Sequence, residues 1–130
     1  MIYGVGTDII EIQKMEDAVR RSGKKFLEKI FTSHELKLAS SRKDYVIYLA
    51  MRFAGKEAVF KAIRMGWNSN VKLTEIEIID GKYGEPIVRL SGKIKDLAMS
   101  QGIIDIHLSL SYDAGYAIAF AVATKTKSLC

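Results

Sequence analysis

One long helical stretch, residues 45–64, constrains this chain more than any other feature. It carries no proline and ends near Gly66. At about 100° per residue, small side chains gather on one face of it, namely Met51, Gly55, Ala58 and Ala62. A face of this kind packs closely against a sheet, so the rest of the chain has to supply strands that cover the helix.

The remaining pattern supplies five strands and several shorter helices. Apolar, β-branched or alternating segments predict strands at 2–12, 74–80, 86–90, 104–111 and 117–124. Helices are predicted at 13–22, at 24–31 after a break at Gly23, from the Thr32-Ser33-His34-Glu35 capping box, and at 91–101. Strands and helices do not alternate one for one. The pattern therefore predicts an α+β fold, with a mainly antiparallel sheet packed against one long helix.

Composition bounds the class of protein. The 130 residues are 48% hydrophobic with a single proline, which is typical of one globular domain spanning 1–130. The lone cysteine, Cys130, excludes a disulfide framework and a cysteine-based zinc cluster. Twenty Lys and Arg against fifteen Asp and Glu give a net charge of +5, which favours an anionic partner. Neither a secretory signal nor an apolar run of membrane length is present, so we expect a cytoplasmic protein without a membrane partner.

Asp8 is a carboxylate on an otherwise apolar strand face. Residues of equal parity share a face of a strand, and its companions are Ile2, Gly4, Gly6, Ile10 and Ile12. An ionised carboxylate there has to be paired, hydrogen-bonded or bound to a metal. The alternative is that the strand ends at Gly6 and that Asp8 caps a turn.

A second candidate cluster lies on the long helix, where Glu57, Lys61 and Arg64 fall on one arc. Further cations, Arg52 and Lys56, flank Phe53 and Phe60. A carboxylate beside several cations is typical of a metal–phosphate site, because the carboxylate holds Mg²⁺ while Lys and Arg neutralise phosphate oxygens. The alternative is an ordinary Glu–Lys pair on a helix surface.

Two more segments carry polar patterns. The first helical region is basic, and Phe26 lies among its cations Lys14, Arg20, Arg21, Lys24, Lys25 and Lys29. It predicts a docking surface for an acidic partner, or else a solvated helix face. On the strand 104–111, His107, Ser109 and Ser111 share one face, which forms either a polar wall toward a ligand or a half-exposed sheet face.

These segments together resemble one family. Gly4-Val5-Gly6-Thr7-Asp8-Ile9-Ile10-Glu11-Ile12 is similar to the opening motif of bacterial holo-acyl-carrier-protein synthases. Residues 53–62, FAGKEAVFKA, resemble their second signature, F-A-x-K-E-A-x-x-K-A. Phe31-Thr32-Ser33-His34-Glu35-Leu36 and Gly84-Glu85-Pro86 match smaller features of the family in the expected order. The resemblance covers nearly the whole chain.

The resemblance implies a 4′-phosphopantetheinyl transferase fold and activity. Such enzymes move phosphopantetheine from coenzyme A to a serine of apo-acyl carrier protein and release adenosine 3′,5′-bisphosphate. Asp8 and Glu57 would hold Mg²⁺ against the coenzyme A pyrophosphate, Lys61 would contact phosphate, and Glu57 or a water on the metal would take the proton of the serine. The other implied contacts with coenzyme A are Arg52, Lys56, Gly66, Ser109 and Ser111. The implied contacts with the carrier protein are Lys14, Arg21, Lys25, Phe26 and Lys29. The family forms homotrimers with active sites at subunit interfaces.

The chain departs from the family pattern in two places. Ser111-Tyr112-Asp113 stands where the family usually has S-H-D or S-H-T, and Ile63-Arg64-Met65-Gly66-Trp67 lacks one glycine of a frequent G-x-G. These departures keep open a non-catalytic binder of coenzyme A or of a carrier protein. The net charge keeps open a small basic nucleic-acid-binding module, although no RRM, KH or zinc-finger signature is present. We expect the transferase, with no nucleic-acid partner.

Overall fold

The computed structural model describes residues 1–64 and 70–126. Its elements follow the order β1 (Ile2–Glu11), α1 (Ile12–Ile30), α2 (Ser33–Ser40), α3 (Tyr45–Ala62), a 3₁₀ turn (Leu73–Glu75), β2 (Ile76–Asp80), β3 (Pro86–Leu90), α4 (Gly92–Ser100), β4 (Ile103–Asp113) and β5 (Tyr116–Lys125). Among these residues, no helix is both long and apolar enough to cross a membrane.

The strands form two antiparallel sheets. One has three strands in the order β1-β5-β4, and the other is the β2–β3 hairpin. In the larger sheet Asp8 lies opposite Ala119, and Leu110 of β4 lies opposite the same alanine. The α+β prediction is confirmed, and the predicted antiparallel strands divide between two sheets rather than joining in one.

The long helix α3 is the centre of the fold, because other elements bury it on several sides. Toward the three-stranded sheet, Ala54, Ala58 and Ala62 of α3 share a buried cluster with alternate alanines of β5, namely Ala119, Ala121 and Ala123. Residues of equal parity on β5 face the helix, and their short side chains let helix and sheet approach closely. Ala58 and Ala62 of the predicted small-residue face therefore have the role that the sequence predicts, whereas Met51 packs against a different cluster and Ala54 takes part instead.

A second buried cluster joins α1, α2 and the first half of α3, with Met15, Phe31 and Leu49 at its centre. The predicted break at Gly23 is confirmed, because its non-helical backbone (φ 53°, ψ −133°) kinks α1 and separates two helical halves. The capping box before α2 is also confirmed, since Thr32 and Glu35 each accept a hydrogen bond from the backbone N–H of the other.

Two local predictions need correction. The first strand does not end at Gly6 but continues through Asp8 to Glu11, so the turn alternative for Asp8 is wrong. The predicted strand 74–80 begins only at Ile76, because Glu75 closes the 3₁₀ turn. The backbone N–H of Glu75 donates to the Lys72 carbonyl (2.9 Å). The Glu75 carboxylate accepts from the N–H groups of Lys72 (2.9 Å) and Ile94 (3.1 Å).

Candidate active site

Two glycines in β1 create the close contact on which the site depends. A Cβ atom at Gly6 would collide with the carbonyl oxygen of Ala58, and one at Gly4 would collide with that of Ala62. Only residues without a side chain let α3 lie this close to the strand. Asp8 is the next residue on the same strand face, so the contact that needs the glycines also brings Asp8 to the side of α3.

Lys61 ties the helix to the strand at that point. Its Nζ donates to the Thr7 carbonyl at 2.9 Å and lies 3.3 Å from Oδ1 of Asp8. The Lys61 side chain is 53% exposed, whereas that of Asp8 is 19% exposed. The ammonium therefore remains accessible to a ligand while it is paired with a mostly buried carboxylate.

Glu57 lies one helical turn before Lys61 on α3, and its charge is coupled to that of Asp8. Burial raises the pKa of Glu57, the negative charge of Asp8 raises it further, and Lys61 lowers it. Burial also raises the pKa of Asp8, while its hydrogen bond and charge interaction with Lys61 lower it. The structure thus brings together the three residues that the sequence assigned to catalysis.

The donor set fits a magnesium ion that is shared with a phosphorylated substrate. Across residues 1–64 and 70–126, no group of three or more His, Cys, Asp and Glu side chains could hold a metal. Asp8 and Glu57 are only two carboxylates, and Mg²⁺ is commonly held by one or two carboxylates with substrate phosphates and water completing its shell. The pair suits that shared arrangement better than an all-protein cage.

Lys56 lies elsewhere and requires a correction. Its side chain is fully buried, and its Nζ donates to the Glu35 carboxylate at 2.7 Å and to the carbonyls of Leu73 (3.1 Å) and Ile76 (2.5 Å). Burial lowers its pKa, and the Glu35 charge offsets part of that effect. With three acceptors around its three protons, this ammonium has no donor left for a coenzyme A phosphate.

Arg52 is also directed away from Glu57. Its guanidinium donates to the Ile78 carbonyl at 3.2 Å and to Asp80 at 2.6 Å, and it stacks on the Tyr48 ring at 3.6 Å. Only 3% of its side chain is exposed. The structure does not bring Arg52 to the Asp8–Glu57 pair, and a ligand would have to displace Asp80 to reach it.

The two serines of β4 lie on the opposite face of the sheet from Asp8. Leu108 and Leu110 pack against the α3 cluster, so the alternate residues Ser109 and Ser111 point away from the helix and are exposed. Within one chain they cannot join the Asp8 site. Gly66 lies outside the described residues.

Tyr112 of β4 is 52% exposed. It lines a groove of about 530 Å³ at the β4–β5 turn, together with Ile47 of α3.

The basic helix α1 divides its cations into two groups. Arg20 lies within 3.6 Å of Glu16 and of Asp17, and Lys24 lies 3.7 Å from Glu28. Among the described residues, the four predicted docking cations make no ion pair within 4 Å, and all four are exposed: Lys14, Arg21, Lys25 and Lys29. Phe26 is partly buried because it packs against the second buried cluster, so only part of its ring is exposed to a partner.

Sequence reasoning missed two contributions to the site. It placed Gly4 and Gly6 on the face of Asp8 without assigning them the approach of α3, although two glycines at alternate positions before an acid are a readable signal. It also missed Glu35 as the partner of Lys56. The capping box marked Glu35 as a cap, and nothing in its local spacing indicated its second bond to α3.

This chain is similar to known proteins over most of its length. A family model described as the 4′-phosphopantetheinyl transferase superfamily matches residues 4–121. The holo-[acyl-carrier-protein] synthase of Ruminiclostridium cellulolyticum is 47% identical over 120 residues, which cover 91% of this chain and 89% of that protein.

Solved structures are similar over nearly the whole chain. The holo-[acyl-carrier-protein] synthase of Neisseria meningitidis superposes with a TM-score of 0.88 at 34% identity, covering 96% of this chain and 100% of that one. The Helicobacter pylori enzyme in complex with coenzyme A gives a TM-score of 0.81 at 33% identity, with 92% and 99% covered. The chain therefore belongs to the 4′-phosphopantetheinyl transferase superfamily and, within it, to the holo-[acyl-carrier-protein] synthases.

Proposed function

We propose that this chain transfers 4′-phosphopantetheine from coenzyme A to a serine of apo-acyl carrier protein, with Asp8, Glu57 and Lys61 as its catalytic residues. The observation that carries the proposal is the convergence of these three side chains where α3 meets β1, since Lys61 lies 3.3 Å from Asp8 and the charge of Asp8 raises the pKa of Glu57. Membership of the holo-[acyl-carrier-protein] synthases supplies the reaction.

The roles of the three residues follow from their chemistry. Asp8 and Glu57 would hold Mg²⁺, which when bound offsets the charge that develops on the leaving phosphate. Lys61 contacts phosphate oxygens with its exposed ammonium. Glu57 accepts the proton of the attacking serine while the serine oxygen bonds to phosphorus. The bond between that phosphorus and the bridging oxygen of the pyrophosphate breaks, which releases adenosine 3′,5′-bisphosphate. The nucleophile comes from the carrier protein, so this chain needs none.

The proposal is tested by intact-mass analysis of apo-acyl carrier protein after incubation with this chain, coenzyme A and Mg²⁺. We expect a gain of one phosphopantetheine that disappears when EDTA is added. The double variant Asp8→Ala, Glu57→Ala should lose the transfer and keep its fold. The matched control is Asp105→Asn, which changes an exposed acid on β4. Full activity of the double variant would refute the assigned site.

We also propose that the active site is completed in a homotrimer. The sheet face turned away from α3 exposes large apolar side chains, among them Val5 (55%), Ile9 (61%), Ile118 (43%) and Phe120 (45%). Contiguous apolar surface of this kind marks protein interfaces. Ser109 and Ser111 share that face, so a neighbouring copy could meet them although the Asp8 site of their own chain cannot.

The oligomer is tested by light scattering coupled to size exclusion. We expect the mass of three chains for the unmodified protein. Phe120→Asp should give monomers with little transfer activity, because a charge cannot be buried at an apolar interface. Tyr83→Asp, which changes an aromatic on the β2–β3 loop that is 84% exposed, is the control and should keep the trimer. A fully active monomer would contradict an interfacial site.

The carrier protein is proposed to dock on α1 through Lys14, Arg21, Lys25 and Lys29. The absence of ion pairs for these four within the described residues supports the assignment, because cations without partners in their own chain can meet an acidic helix without losing existing contacts. Phe26 contributes at most a partial apolar contact.

Two observations count against the alternative functions, a nucleic-acid-binding module and a non-catalytic binder. Family membership counts against a basic nucleic-acid-binding module, and the intact Asp8, Glu57 and Lys61 cluster counts against a non-catalytic binder. A cytoplasmic location remains a prediction from the sequence.

A further inference from the structure

Two charged side chains among the described residues have no exposed surface and have no part in the chemistry proposed above. Glu35 of α2 and Lys56 of α3 have fully buried side chains that meet at 2.7 Å, and we call them the buried ion pair. The Lys56 ammonium also donates hydrogen bonds to the carbonyls of Leu73 and Ile76. Glu35 accepts from the N–H groups of Thr32 (2.9 Å) and Ile78 (2.7 Å).

The buried ion pair connects three parts of the fold through one residue of α3. Its bonds reach the start of α2, the 3₁₀ turn and β2, and the ammonium of Lys56 lies 5.5 Å from the centre of the Phe31 ring at the end of α1. No buried side-chain nitrogen or oxygen among the described residues lacks a hydrogen-bond partner. Lys56 is therefore held in one orientation by a complete set of directional bonds.

Toward β5 and β1, the surface of α3 is formed mainly by short side chains. There the helix meets β5 and β1 through Ala54, Ala58 and Ala62 against alanines and glycines. Ridges of side chains that fit into grooves are what normally fix how two elements pack. Toward β5 and β1 these ridges are alanine methyl groups, and larger side chains, Leu108 and Leu110, meet the helix from β4. The short side chains set the distance between helix and sheet, so directional bonds on the other sides of α3 help to fix its rotation about its axis.

We infer that Glu35 and Lys56 are positioning residues, which fix the rotation of α3 and so hold Glu57 and Lys61 beside Asp8. Glu57 follows Lys56 directly, so any turn of the helix that moves one moves the other by the same angle. Side chains end about 5–6 Å from a helix axis, so a rotation of about 10° displaces the Glu57 carboxylate by about 1 Å. A displacement of that size can cost about 10²-fold in rate.

The energetics of buried charges support positioning over stabilisation. Replacing a buried ion pair by apolar residues of similar volume is often neutral or stabilising, because both charges lose hydration when they are buried. The charge–charge contact of the buried ion pair therefore adds little to stability by itself, and its remaining bonds satisfy four backbone groups. Its directional bonds can fix an orientation that apolar contacts leave free.

The inference rests on the proposed role of Glu57, and the test compares three variants. The first is the double variant Glu35→Leu, Lys56→Met, which replaces the buried ion pair by apolar side chains. The reference is Glu57→Gln, which alters the site directly. The control is Ile94→Val, which removes one methyl group from a fully buried residue of α4 and lowers stability modestly without touching the buried ion pair.

Three quantities are measured for each variant: the melting temperature, kcat and KM for apo-acyl carrier protein, and the affinity for Mn²⁺ by electron paramagnetic resonance with coenzyme A present. For the double variant we expect a lower melting temperature, because the Thr32 and Ile78 N–H groups and the Leu73 and Ile76 carbonyls lose their partners. We expect kcat to fall about 10²-fold and Mn²⁺ affinity to fall about tenfold. KM for the carrier protein should not change, because α1 keeps its cations. Ile94→Val should alter only the melting temperature.

A folded double variant with unchanged kcat and Mn²⁺ affinity would overturn the inference. A merely structural role would lower the amount of folded protein and leave both quantities unchanged for the folded part. If the double variant does not fold, Glu35→Gln decides. Its amide oxygen can still accept from Lys56 and from the Thr32 N–H, which share one carboxylate oxygen of Glu35, while the bond from the Ile78 N–H is lost. Unchanged kcat and Mn²⁺ affinity there would also overturn the inference. Full activity of Glu57→Gln would instead refute the proposed site, a separate result.

Discussion

Replacing Gly6 by alanine tests the geometric basis of the site most directly. The added Cβ would lie 2.9 Å from the Ala62 nitrogen and 2.9 Å from the Lys61 Cβ, and closer still to the Ala58 carbonyl oxygen. Since ordinary contact begins near 3.4 Å, α3 has to retreat by about 0.5 Å to relieve the first two contacts. Relieving the third brings the retreat to the order of 1 Å.

That retreat should affect activity more than stability. Overpacking of this kind costs about 1–3 kcal/mol, and the stiffer unfolded chain returns about 0.4–1 kcal/mol of it. Lys61 and Glu57 move away with the helix while Asp8 stays on the strand, so the 3.3 Å contact between Lys61 and Asp8 lengthens. A misplacement of about 1 Å corresponds to a loss of about 10²-fold in kcat.

The assay is transfer to apo-acyl carrier protein at several Mg²⁺ concentrations, with urea unfolding of the same samples. Gly102→Ala is the matched control, because Gly102 has φ 76° and an added Cβ would make only an ordinary contact, 3.6 Å from Thr126. Its strained backbone should cost about 1–2 kcal/mol and leave kcat unchanged. A folded Gly6→Ala enzyme with unchanged kcat and Mg²⁺ dependence would refute the reasoning.

Three further variants test the charges. Glu57→Gln should lower kcat by at least about 10²-fold. It should also raise the metal-free melting temperature at neutral pH, since a carboxyl with a raised pKa destabilises the fold once it is ionised; an unchanged melting temperature would contradict its burial beside Asp8. Lys25→Glu should raise KM for the carrier protein about five- to tenfold at low salt and less at high salt, whereas Lys24→Gln, whose cation already meets Glu28, should change it little; equal effects would remove the distinction between paired and unpaired cations. Burial raises the pKa of Glu75, but backbone hydrogen bonds outweigh burial and lower it overall, so its stabilisation is present at pH 7 and is lost as the pH falls through the folded-state pKa. Glu75→Gln should therefore be less stable than the unmodified protein in urea at pH 7 and equally stable near pH 3, and a constant gap would contradict that assignment.

Periodicity predicted the two faces that carry the centre of the site, and the family resemblance predicted that the two faces act together. Alternation in a strand places Gly4, Gly6 and Asp8 on one face, and helical periodicity places Glu57 and Lys61 on one arc. Both patterns are local, and both survive in the structure because each element keeps its regular geometry through the contact. The capping box of α2 and the break at Gly23 were predictable for the same reason.

Local pattern could not show that Lys56 and Arg52, which were predicted to contact coenzyme A, point away from the site. Because α3 is buried on several sides, a cation on it can point inward as well as outward, and the sequence of the helix does not distinguish the two. The acids that pair with these cations, Glu35 with Lys56 and Asp80 with Arg52, belong to other elements of the fold. The motif at residues 53–62 thus contains two lysines of different roles. Only the tertiary structure shows that Lys56 is buried in an ion pair while Lys61 lies beside Asp8.

The electrostatics of the site indicate why substrate and metal should bind together. Asp8 and Glu57 carry two negative charges against the single positive charge of Lys61, and burial makes that imbalance costly, as their raised pKa values reflect. A divalent cation would reverse the imbalance and release Lys61 from Asp8 toward a phosphate. Two carboxylates, however, supply only part of an octahedral shell, and Mg²⁺ gives up its waters reluctantly. In the proposed reaction the pyrophosphate of coenzyme A would offer the missing oxygens, so we expect a metal that arrives with the substrate rather than one that is permanently resident.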